Sequence, residues 1–209
     1  MIKRIQMGLS ILVGMLASCS SGTKNNTEKK DTVQAPIEIA QIEEAPNKVI
    51  ERFAQAYLAR DNQRVNELIH PDLGLYIIYR PGAADAYEKV DSLDFSTPFP
   101  PHFPYTTFEN TYDLTFEKLP EYDCGYDRWN KLGFFCDTTA QADQLTLIAN
   151  FQYEFDEIDE SQVEKIEHFE KNTYRVILTK NENLIFHIKK HEGNWYVVAL
   201  DRAYGWCDA

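Results

Sequence analysis

The sequence predicts an α+β domain that opens with two helices and closes with antiparallel strands. Apolar residues recur at helical spacing between Val49 and Leu58, with charged residues on the other face. Near the end of the chain, apolar segments at 174–179, 184–189 and 195–200 are separated by short polar turns. That pattern is typical of a three-strand meander, and helices grouped apart from strands favour α+β organisation.

Two short helices are expected first. The first would bury one face, made of Val49, Ile50, Phe53, Ala54, Tyr57 and Leu58. Asp61 is placed to cap a second helix, whose buried residues would be Val65, Leu68 and Ile69. His70-Pro71 ends that helix, and the apolar run 75–79 predicts a covered strand that Pro81-Gly82 stops.

The middle of the chain is rich in proline and aromatic residues from Leu93 to Asp123. This composition predicts a long ordered loop that covers a groove, with a polyproline-like recognition segment as the alternative. Within it, residues 108–119 fit either a strand or a helix.

The following segments are more regular. Residues 147–155 alternate between apolar and polar side chains, which predicts a strand with one buried face. Residues 161–164, Ser-Gln-Val-Glu, match a capping box at the start of a helix. A hairpin around Asn181-Glu182 and a third strand after Glu192-Gly193-Asn194 then complete the meander.

Two stretches carry a resemblance to a known superfamily. Residues 53–61, Phe-Ala-Gln-Ala-Tyr-Leu-Ala-Arg-Asp, continue to His70-Pro71-Asp72, and residues 191–198 read His-Glu-Gly-Asn-Trp-Tyr-Val-Val. They resemble the opening helix pair and the last hairpin of the nuclear transport factor 2-like (cystatin-related) cone fold. The resemblance implies a helix pair packed on a curved, mainly antiparallel sheet, often with a pocket inside the cone. That superfamily contains isomerases, cyclases, dehydratases and non-catalytic binding or dimerising modules, so fold leaves function open.

The first 19 residues resemble the leader of a bacterial lipoprotein. Lys3 and Arg4 precede an apolar run that is too short to span a membrane, and Leu16-Ala17-Ser18-Cys19 resembles a lipobox. The resemblance implies cleavage before Cys19 and acyl chains on that cysteine, which anchor the protein to a membrane. An ordinary secretory signal with a chance cysteine is the alternative. Ser20 favours the outer membrane, and the lack of an acidic run after Cys19 favours its periplasmic face over the cell surface.

The chain therefore divides into a signal peptide (1–18), a flexible tether (19–44) and one α+β domain (45–209). The formal net charge is −12, and the leader holds two cations and no acid, so the mature chain is more acidic still. Such a charge argues against nucleic acid as a partner and against direct docking on anionic headgroups.

Three cysteines follow Cys19: Cys124, Cys136 and Cys207. An extracytoplasmic site permits disulfides, and a Cys124–Cys136 bridge would close a short turn-rich loop, contributing about 3 kcal/mol. Three cysteines allow three pairings, each leaving one thiol, and three reduced, buried thiols are the alternative.

Motifs for catalysis and metal binding are not found in the sequence. There is no nucleophile elbow, zinc-protease helix, P-loop or dinucleotide-binding loop, and residues 156–160 lack the geometry of an EF-hand. His187 and His191 lie four residues apart on a predicted strand, about 13 Å from one another, which is too far to share a metal. No metal site and no cofactor is therefore predicted.

A few residues are candidates for a site. His70 and Asp72 could serve as general base and orienting acid, or could simply end a helix. Arg80 could pair a ligand carboxylate or an internal acid. Aromatic candidates for a groove mouth, which could instead pack the loop onto the body, are His102, Tyr105, Tyr126 and Trp129.

We favour a lipid-anchored, extracytoplasmic domain that binds a small molecule or another envelope protein without catalysis. The alternatives are a small isomerase or hydrolase with acid and base groups inside the cone, and a structural accessory that forms a homodimer. An enzyme needs a titratable pair in a closed pocket, whereas a protein-binding module needs an exposed apolar patch.

Overall fold

One mixed sheet organises the described part of the chain, residues 45–101, 103–180 and 182–203 of a computed structural model. In chain order the strands are β1 (Leu75–Tyr79), β2 (Ala86–Val90), β3 (Leu114–Phe116), β4 (Tyr122–Asp123), β5 (Arg128–Trp129), β6 (Gly133–Cys136), β7 (Thr173–Thr179), β8 (Asn183–His191) and β9 (Asn194–Asp201). Seven of them lie in the order β2-β1-β9-β8-β7-β6-β3, and β4 and β5 form a separate ribbon. The β1–β9 and β3–β6 pairs are parallel and the others antiparallel. The α+β class is therefore confirmed.

The first two helices are found where the sequence predicts them. Helix α1 (Pro46–Leu58) has proline in its first turn, where a missing N–H costs nothing. Helix α2 (Asn62–Asn66) is capped by Asp61, whose side chain accepts a hydrogen bond from the Arg64 backbone N–H at 3.1 Å.

The face of the sheet that shares a core with α1 and α2 is called the apolar face. Phe53 is fully buried, and its ring lies 4.7 Å from that of Phe186 on β8. The sheet residues of this core are apolar apart from one buried cysteine: Leu75, Ile77, Phe134, Cys136, Val176, Leu178, Leu184, Phe186, Ile188, Val197 and Leu200. Burial of each large side chain contributes about 1.5–3 kcal/mol.

The opposite face is covered by α3 (Gln144–Glu154) and α4 (Glu160–Glu170), and it is called the charged face. Ile78 and Ala199 share a core there with the helix residues Leu145, Ile148 and Val163. The buried strand side chains on this face include Arg175, His187 and Asp201. The two faces of one sheet thus differ in what they bury.

The predicted strand at 147–155 is wrong, because this segment lies in and just after helix α3. Leu145, Ile148 and Ala149 are buried at helical spacing. The apparent alternation arose from large apolar residues that are exposed: Leu147, Phe151, Tyr153 and Phe155. Because these exposed side chains are apolar, the sequence pattern of the helix resembles that of a strand.

Helix α4 is present, but it begins before the predicted capping box. Its cap is Asp159, which accepts from the backbone N–H of Gln162 at 3.0 Å, while the Gln162 side chain accepts from the Asp159 N–H. The reciprocal bonds are those of a capping box, with aspartate in place of the predicted Ser161.

The closing meander is confirmed. β7 pairs with β8 and β8 with β9, both antiparallel. Glu192 and Gly193 turn the chain between β8 and β9 with φ values of 49° and 86°. Two consecutive positive φ angles suit the tight turn of a hairpin.

The proline-rich middle is an ordered loop held against the body. Arg202 follows β9 and donates to the carbonyl oxygens of Phe99, Phe103 and Pro104, the last at 2.9 Å. The guanidinium also lies 4.5 Å from the centre of the Tyr105 ring. Only residues 114–116 of the ambiguous 108–119 segment form a strand.

The predicted Cys124–Cys136 disulfide is wrong. Cys136 is a free thiol with no exposed surface, because it points from β6 into the apolar core. Burial raises its pKa to about 12, which keeps it protonated. Cys124 is disulfide-bonded, whereas Cys19 and Cys207 lie outside the described residues.

The described residues belong to one compact unit. Among them, no helix has the length and apolar character needed to cross a bilayer. The leader and the tether lie outside the described residues.

Candidate functional site

A cavity of about 340 Å³ opens on the charged face, where the parallel strands β1 and β9 end. We call it the β1–β9 cavity. Its walls come from the sheet, from α3, from the β1–β2 loop and from the β4–β5 ribbon. The lining residues are Ile78, Arg80, Asp85, Tyr122, Cys124, Gln144, Leu147, Ile148, Arg175, Asp201 and Ala203.

The first of two ion pairs in this cavity joins Arg80 to Asp85. The Arg80 Nε donates to Asp85 Oδ1 at 2.6 Å, and Nη2 donates to Oδ2 at 3.3 Å. The two residues lie at opposite ends of the β1–β2 loop, so this bidentate contact closes that loop. Of the two roles that the sequence leaves open for Arg80, the structure shows pairing with an internal acid, at the cavity wall.

The second ion pair is buried and joins Arg175 on β7 to Asp201 on β9. Arg175 Nη2 donates to Asp201 Oδ2 at 2.5 Å across the intervening strand β8, and the two side chains are 10% and 3% exposed. Asp201 also accepts from the backbone N–H of Ala203. Removing charges from water is costly unless they are paired, so this contact is needed for both to be buried.

The N-terminus of α3 brings a polar side chain to the same cavity. Gln144 is the first residue of this helix, and its side-chain Nε2 donates to Asp143 at 2.9 Å. Its buried Oε1 has no hydrogen-bond partner among the described residues. A buried acceptor without a donor is unfavourable, so a ligand N–H at this point would satisfy it.

The start of α3 is fixed by a buried acid from the end of α4. Glu170 accepts from the backbone N–H groups of Leu145 at 3.0 Å and Thr146 at 2.7 Å. Burial raises the pKa of Glu170, and these backbone hydrogen bonds oppose that shift. The helix end that presents Gln144 is therefore rigidly placed.

A buried histidine lies next to this acid. His187 Nδ1 is 3.9 Å from Glu170 Oε1, and His187 pairs across the sheet with Arg175 on β7. Burial and the nearby arginine hold the pKa of His187 well below its ordinary value of 6.5. The imidazole is therefore neutral, and it supports the charged residues without lining the cavity.

The β4–β5 ribbon forms the outer wall. Trp129 anchors it by donating from Nε1 to the Asn183 side chain at 2.6 Å, and the Tyr122 ring packs edge-on against the indole. Tyr122 also donates to Asp127 at 2.5 Å, and this bond raises the pKa of the phenol. The disulfide of Cys124 tethers the same ribbon.

Other predicted site residues do not reach this cavity. Tyr105 is buried under the loop, where its hydroxyl accepts from the Phe99 N–H at 3.3 Å. Trp129 is buried behind the ribbon, and both aromatic rings therefore pack loops onto the body. His102 lies outside the described residues. His70 and Asp72 are placed near the start of β9, whereas the cavity is at its end.

Four lining residues that carry the polar chemistry were not predicted: Asp85, Gln144, Arg175 and Asp201. Arg175 interrupts the otherwise uncharged strand β7, and Asp201 ends the apolar run of β9. That interruption is the one signal in the sequence that could have indicated a buried pair.

A wider groove of about 640 Å³ lies between α1 and residues 108–114. Its acidic lining residues, such as Glu51 and Glu109, are exposed to solvent. The β1–β9 cavity is the better candidate for a ligand site, because it contains the buried Arg175–Asp201 ion pair and the unpartnered Oε1 of Gln144.

An exposed apolar stripe runs along α3 beside the cavity. Leu147, Phe151 and Phe155 are 59%, 42% and 62% exposed and recur every fourth residue. The rings of Phe151 and Phe155 lie 4.7 Å apart. We call these three residues the α3 stripe.

In comparisons with known proteins, no family model, no curated protein and no solved structure matches the chain.

Proposed function

We propose that this chain is a lipid-anchored, extracytoplasmic binding domain that holds a small, net-neutral polar ligand in the β1–β9 cavity. The observation that carries the proposal is the pairing of two arginines with two aspartates around the unpartnered acceptor of Gln144. Anchoring through acyl chains on Cys19, at the periplasmic face of the outer membrane, is part of the proposal. So is the cone-type curvature that the superfamily resemblance implies.

The balance of charge supports a net-neutral ligand. Each guanidinium in the cavity already has a carboxylate within 2.6 Å, so an anionic ligand would have to compete with a protein acid. A cationic ligand would have to compete with an arginine for each aspartate. A molecule with both an acidic and a basic end can contact both members of a pair without leaving either unbalanced.

The size and walls of the cavity support a ligand of amino-acid to dipeptide size. Small-molecule sites span about 300–1,000 Å³, and this one is near the lower limit. Ile78, Leu147 and Ile148 supply apolar surface beside the ion pairs, which suits a ligand with a short apolar side chain. Gln144 Oε1 would accept from its amide or ammonium group.

The same contacts favour binding over catalysis. The two lining carboxylates, Asp85 and Asp201, are engaged by arginine, whereas a general base must be free to take a proton. An isomerase or hydrolase remains the alternative proposal, and it would require one of these pairs to open when substrate binds.

The test is competitive native mass spectrometry on the mature chain, purified without reductant. The probes are alanyl-alanine, its N-acetyl derivative and its C-terminal amide in equal amounts. We expect the zwitterion to give the dominant complex, since it alone carries both charges. Leu147→Trp, which fills the cavity mouth, should abolish that complex. The matched control Leu132→Trp, at a site 55% exposed and away from the cavity, should retain it. No complex, or an equal complex with Leu147→Trp, would contradict the proposal.

A second candidate function is docking of an envelope protein on the α3 stripe. The stripe exposes three large apolar side chains, and the segment 132–164 around it contains aspartate and glutamate but no lysine or arginine. A partner with an apolar groove rimmed by basic residues would complement it. A second copy of the chain, the dimer alternative, would bring two acidic segments together and is opposed by their repulsion.

Site-specific photocrosslinking tests this second candidate. A photoreactive phenylalanine analogue at Phe151 should give a discrete crosslinked product in intact envelopes. The same analogue at Tyr126, which is 72% exposed and far from the stripe in sequence, serves as the control. Equal products from both positions would indicate nonspecific contact and would reject the docking surface.

A further inference from the structure

We infer that His70, Asp72 and His191 form a surface site for a divalent transition-metal ion, with Zn²⁺ as the best match. One ligand atom from each residue lies within 4.8 Å of the others. This cluster lies near the start of β9, so it is distinct from the β1–β9 cavity at the end of that strand. The inference does not depend on the proposed function.

The three residues come from segments that are far apart in sequence and tied together by the fold. His70 and Asp72 lie in the turn after α2, and His191 is the last residue of β8. The Val197 N–H on β9 donates to the Leu68 carbonyl at 2.9 Å, which fixes the end of the helical segment to the hairpin. The site is therefore supported by backbone contacts rather than by a mobile loop.

The turn that carries two of the ligands is itself constrained. The backbone N–H groups of Leu73 and Gly74 donate to the His70 carbonyl at 3.1 and 2.8 Å. Gly74 has a φ of 64°, and a Cβ there would lie 2.7 Å from the Lys89 side chain. The positive φ favours glycine, so Gly74 helps to form the turn that presents His70 and Asp72.

The orientation of the side chains suits metal binding. The imidazole rings of His70 and His191 lie 4.7 Å apart at 66°, and the Tyr196 ring supports His70 from 4.8 Å. His70 Nδ1 accepts from the Asp72 N–H at 3.2 Å and lies 3.9 Å from Asp72 Oδ2. The Nδ1 lone pair is therefore directed towards the Asp72 backbone N–H, with the carboxylate nearby, and a metal ion bound to Nδ1 would replace that hydrogen bond.

The distances require a small rearrangement. Zn²⁺ binds nitrogen and oxygen at about 2.0–2.2 Å, so donors of a tetrahedral site are about 3.4 Å apart. The 3.9 Å between His70 and Asp72 is already close to this value. Asp72 has a 79% exposed side chain, so it can rotate towards the histidines without breaking core contacts.

The donor set selects the type of metal. Two imidazoles and one carboxylate suit zinc and its transition-metal neighbours, whereas Mg²⁺ and Ca²⁺ prefer oxygen donors throughout. Three protein ligands would leave the fourth position of a tetrahedral zinc open to water or to a donor from another molecule. The acidic charge of the chain raises the local concentration of cations.

Isothermal titration of the purified full-length mature protein with ZnCl₂ tests the inference. We expect one zinc per chain, no saturable binding of MgCl₂, and affinity that weakens at least tenfold in His191→Asn and in Asp72→Asn. His168→Asn, a substitution of an exposed histidine on α4, is the matched control and should bind as wild type does. Because Asp72 is exposed, its substitution keeps the test valid even if a histidine variant folds poorly.

Absence of 1:1 zinc binding by the wild-type protein would overturn the site. Zinc binding that His191→Asn and Asp72→Asn both leave unchanged would overturn it as well, because the ion would then be held elsewhere.

Discussion

The two faces of the central sheet bury different kinds of side chain, although the same strands form both. On the apolar face, β7 contributes Val176 and Leu178 to a core without charged residues. On the charged face, the same strand contributes Arg175, which precedes Val176 and pairs with His187 of β8. Since alternate residues of a strand point to opposite sides, one strand serves both faces at once.

The two faces differ in what their stability requires. Apolar burial gives stability without demanding partners, whereas each buried charge on the other face needs a specific counterpart. Glu170, Arg175 and Asp201 all meet that demand. Well-packed apolar residues would be as stable or more so, and two of these charged residues, Arg175 and Asp201, line the β1–β9 cavity.

Breaking the buried ion pair should give one of the largest single-substitution effects. Asp201→Leu removes the carboxylate that accepts from the buried Arg175 guanidinium, and we expect it to lower the free energy of unfolding by about 3–5 kcal/mol. The double variant Arg175→Met/Asp201→Leu should recover most of that loss, as measured by urea denaturation. A double variant less stable than Asp201→Leu would contradict the assignment.

The apolar face supplies the contrast for that experiment. Phe53→Ala should cost a similar 3–5 kcal/mol, since it leaves a cavity in a fully buried core. Adding Phe186→Ala, which removes the ring that Phe53 contacts, should lower stability further. Rescue by a second substitution is therefore expected on the charged face only.

Even a small polar group on the apolar face should lower the free energy of unfolding. Cys136→Ser places a hydroxyl among apolar residues, and we expect it to cost about 1–3 kcal/mol of unfolding free energy. Cys136→Ala, which removes the sulfur but adds no polar atom, is the matched variant and should cost less. Equal stability of Cys136→Ser and the wild type would show that this face tolerates polarity.

The same samples report the state of the cysteines. In the unfolded but unreduced chain, Cys136 should take up an alkylating label and Cys124 should not, whereas in the native chain Cys136 should stay unlabelled. Labelling of Cys124 in unreduced protein would contradict its disulfide.

The pH dependence of stability should reflect the buried His187. Its pKa is held well below 6.5 in the folded state, so below pH 6.5 the unfolded chain binds more protons and stability falls. Glu170 acts with the opposite sign: its raised pKa makes stability fall as pH rises above 4.5. The groups that face His187 are Glu170 and Arg175.

Urea denaturation at pH 7.5 and 5.5 checks this sign. The wild type should lose more stability at the lower pH than His187→Leu does, because the variant has no buried imidazole to protonate. His168→Asn, on the exposed side of α4, should behave as wild type. Equal pH-induced losses in wild type and His187→Leu would exclude the buried histidine as the cause.

The smallest effect on stability is expected at the α3 stripe. Phe151→Ser and Phe155→Ser change exposed side chains, so each should alter the free energy of unfolding by about 0.5 kcal/mol or less. The photocrosslink from the stripe should nevertheless be lost when the neighbouring phenylalanine is serine. A large loss of stability would mean that the stripe serves the fold instead of a partner.

Local rules were sufficient for the elements whose exposed side chains are polar. Helices α1 and α2 and the strands β7, β8 and β9 have one clear apolar pattern each, and the sequence predicts them. The prediction for helix α3 was wrong because Leu147 and Phe151 are apolar and exposed, so the spacing of apolar residues does not indicate which of them are buried. The wrong prediction therefore coincides with an exposed apolar surface.

The sites depend on contacts between distant segments, which spacing does not reveal. Arg175 meets Asp201 across an intervening strand, and His70 meets His191 only after β9 brings the helix turn to the hairpin. The predicted cysteine pairing was wrong for a similar reason. Cys124 and Cys136 are close in sequence, but Cys136 points into the core. Loop length alone could not indicate that direction.

The most direct test of the central claim is a two-dimensional NMR titration of the mature chain, with Cys19→Ser to remove the lipid, using alanyl-alanine as the probe. We predict saturable shifts of the backbone signals of Arg80, Gln144 and Asp201 on the charged face, and unchanged signals for Ala56 and Val176 on the apolar face. Shifts confined to the apolar face, or none at the cavity residues, would contradict the account.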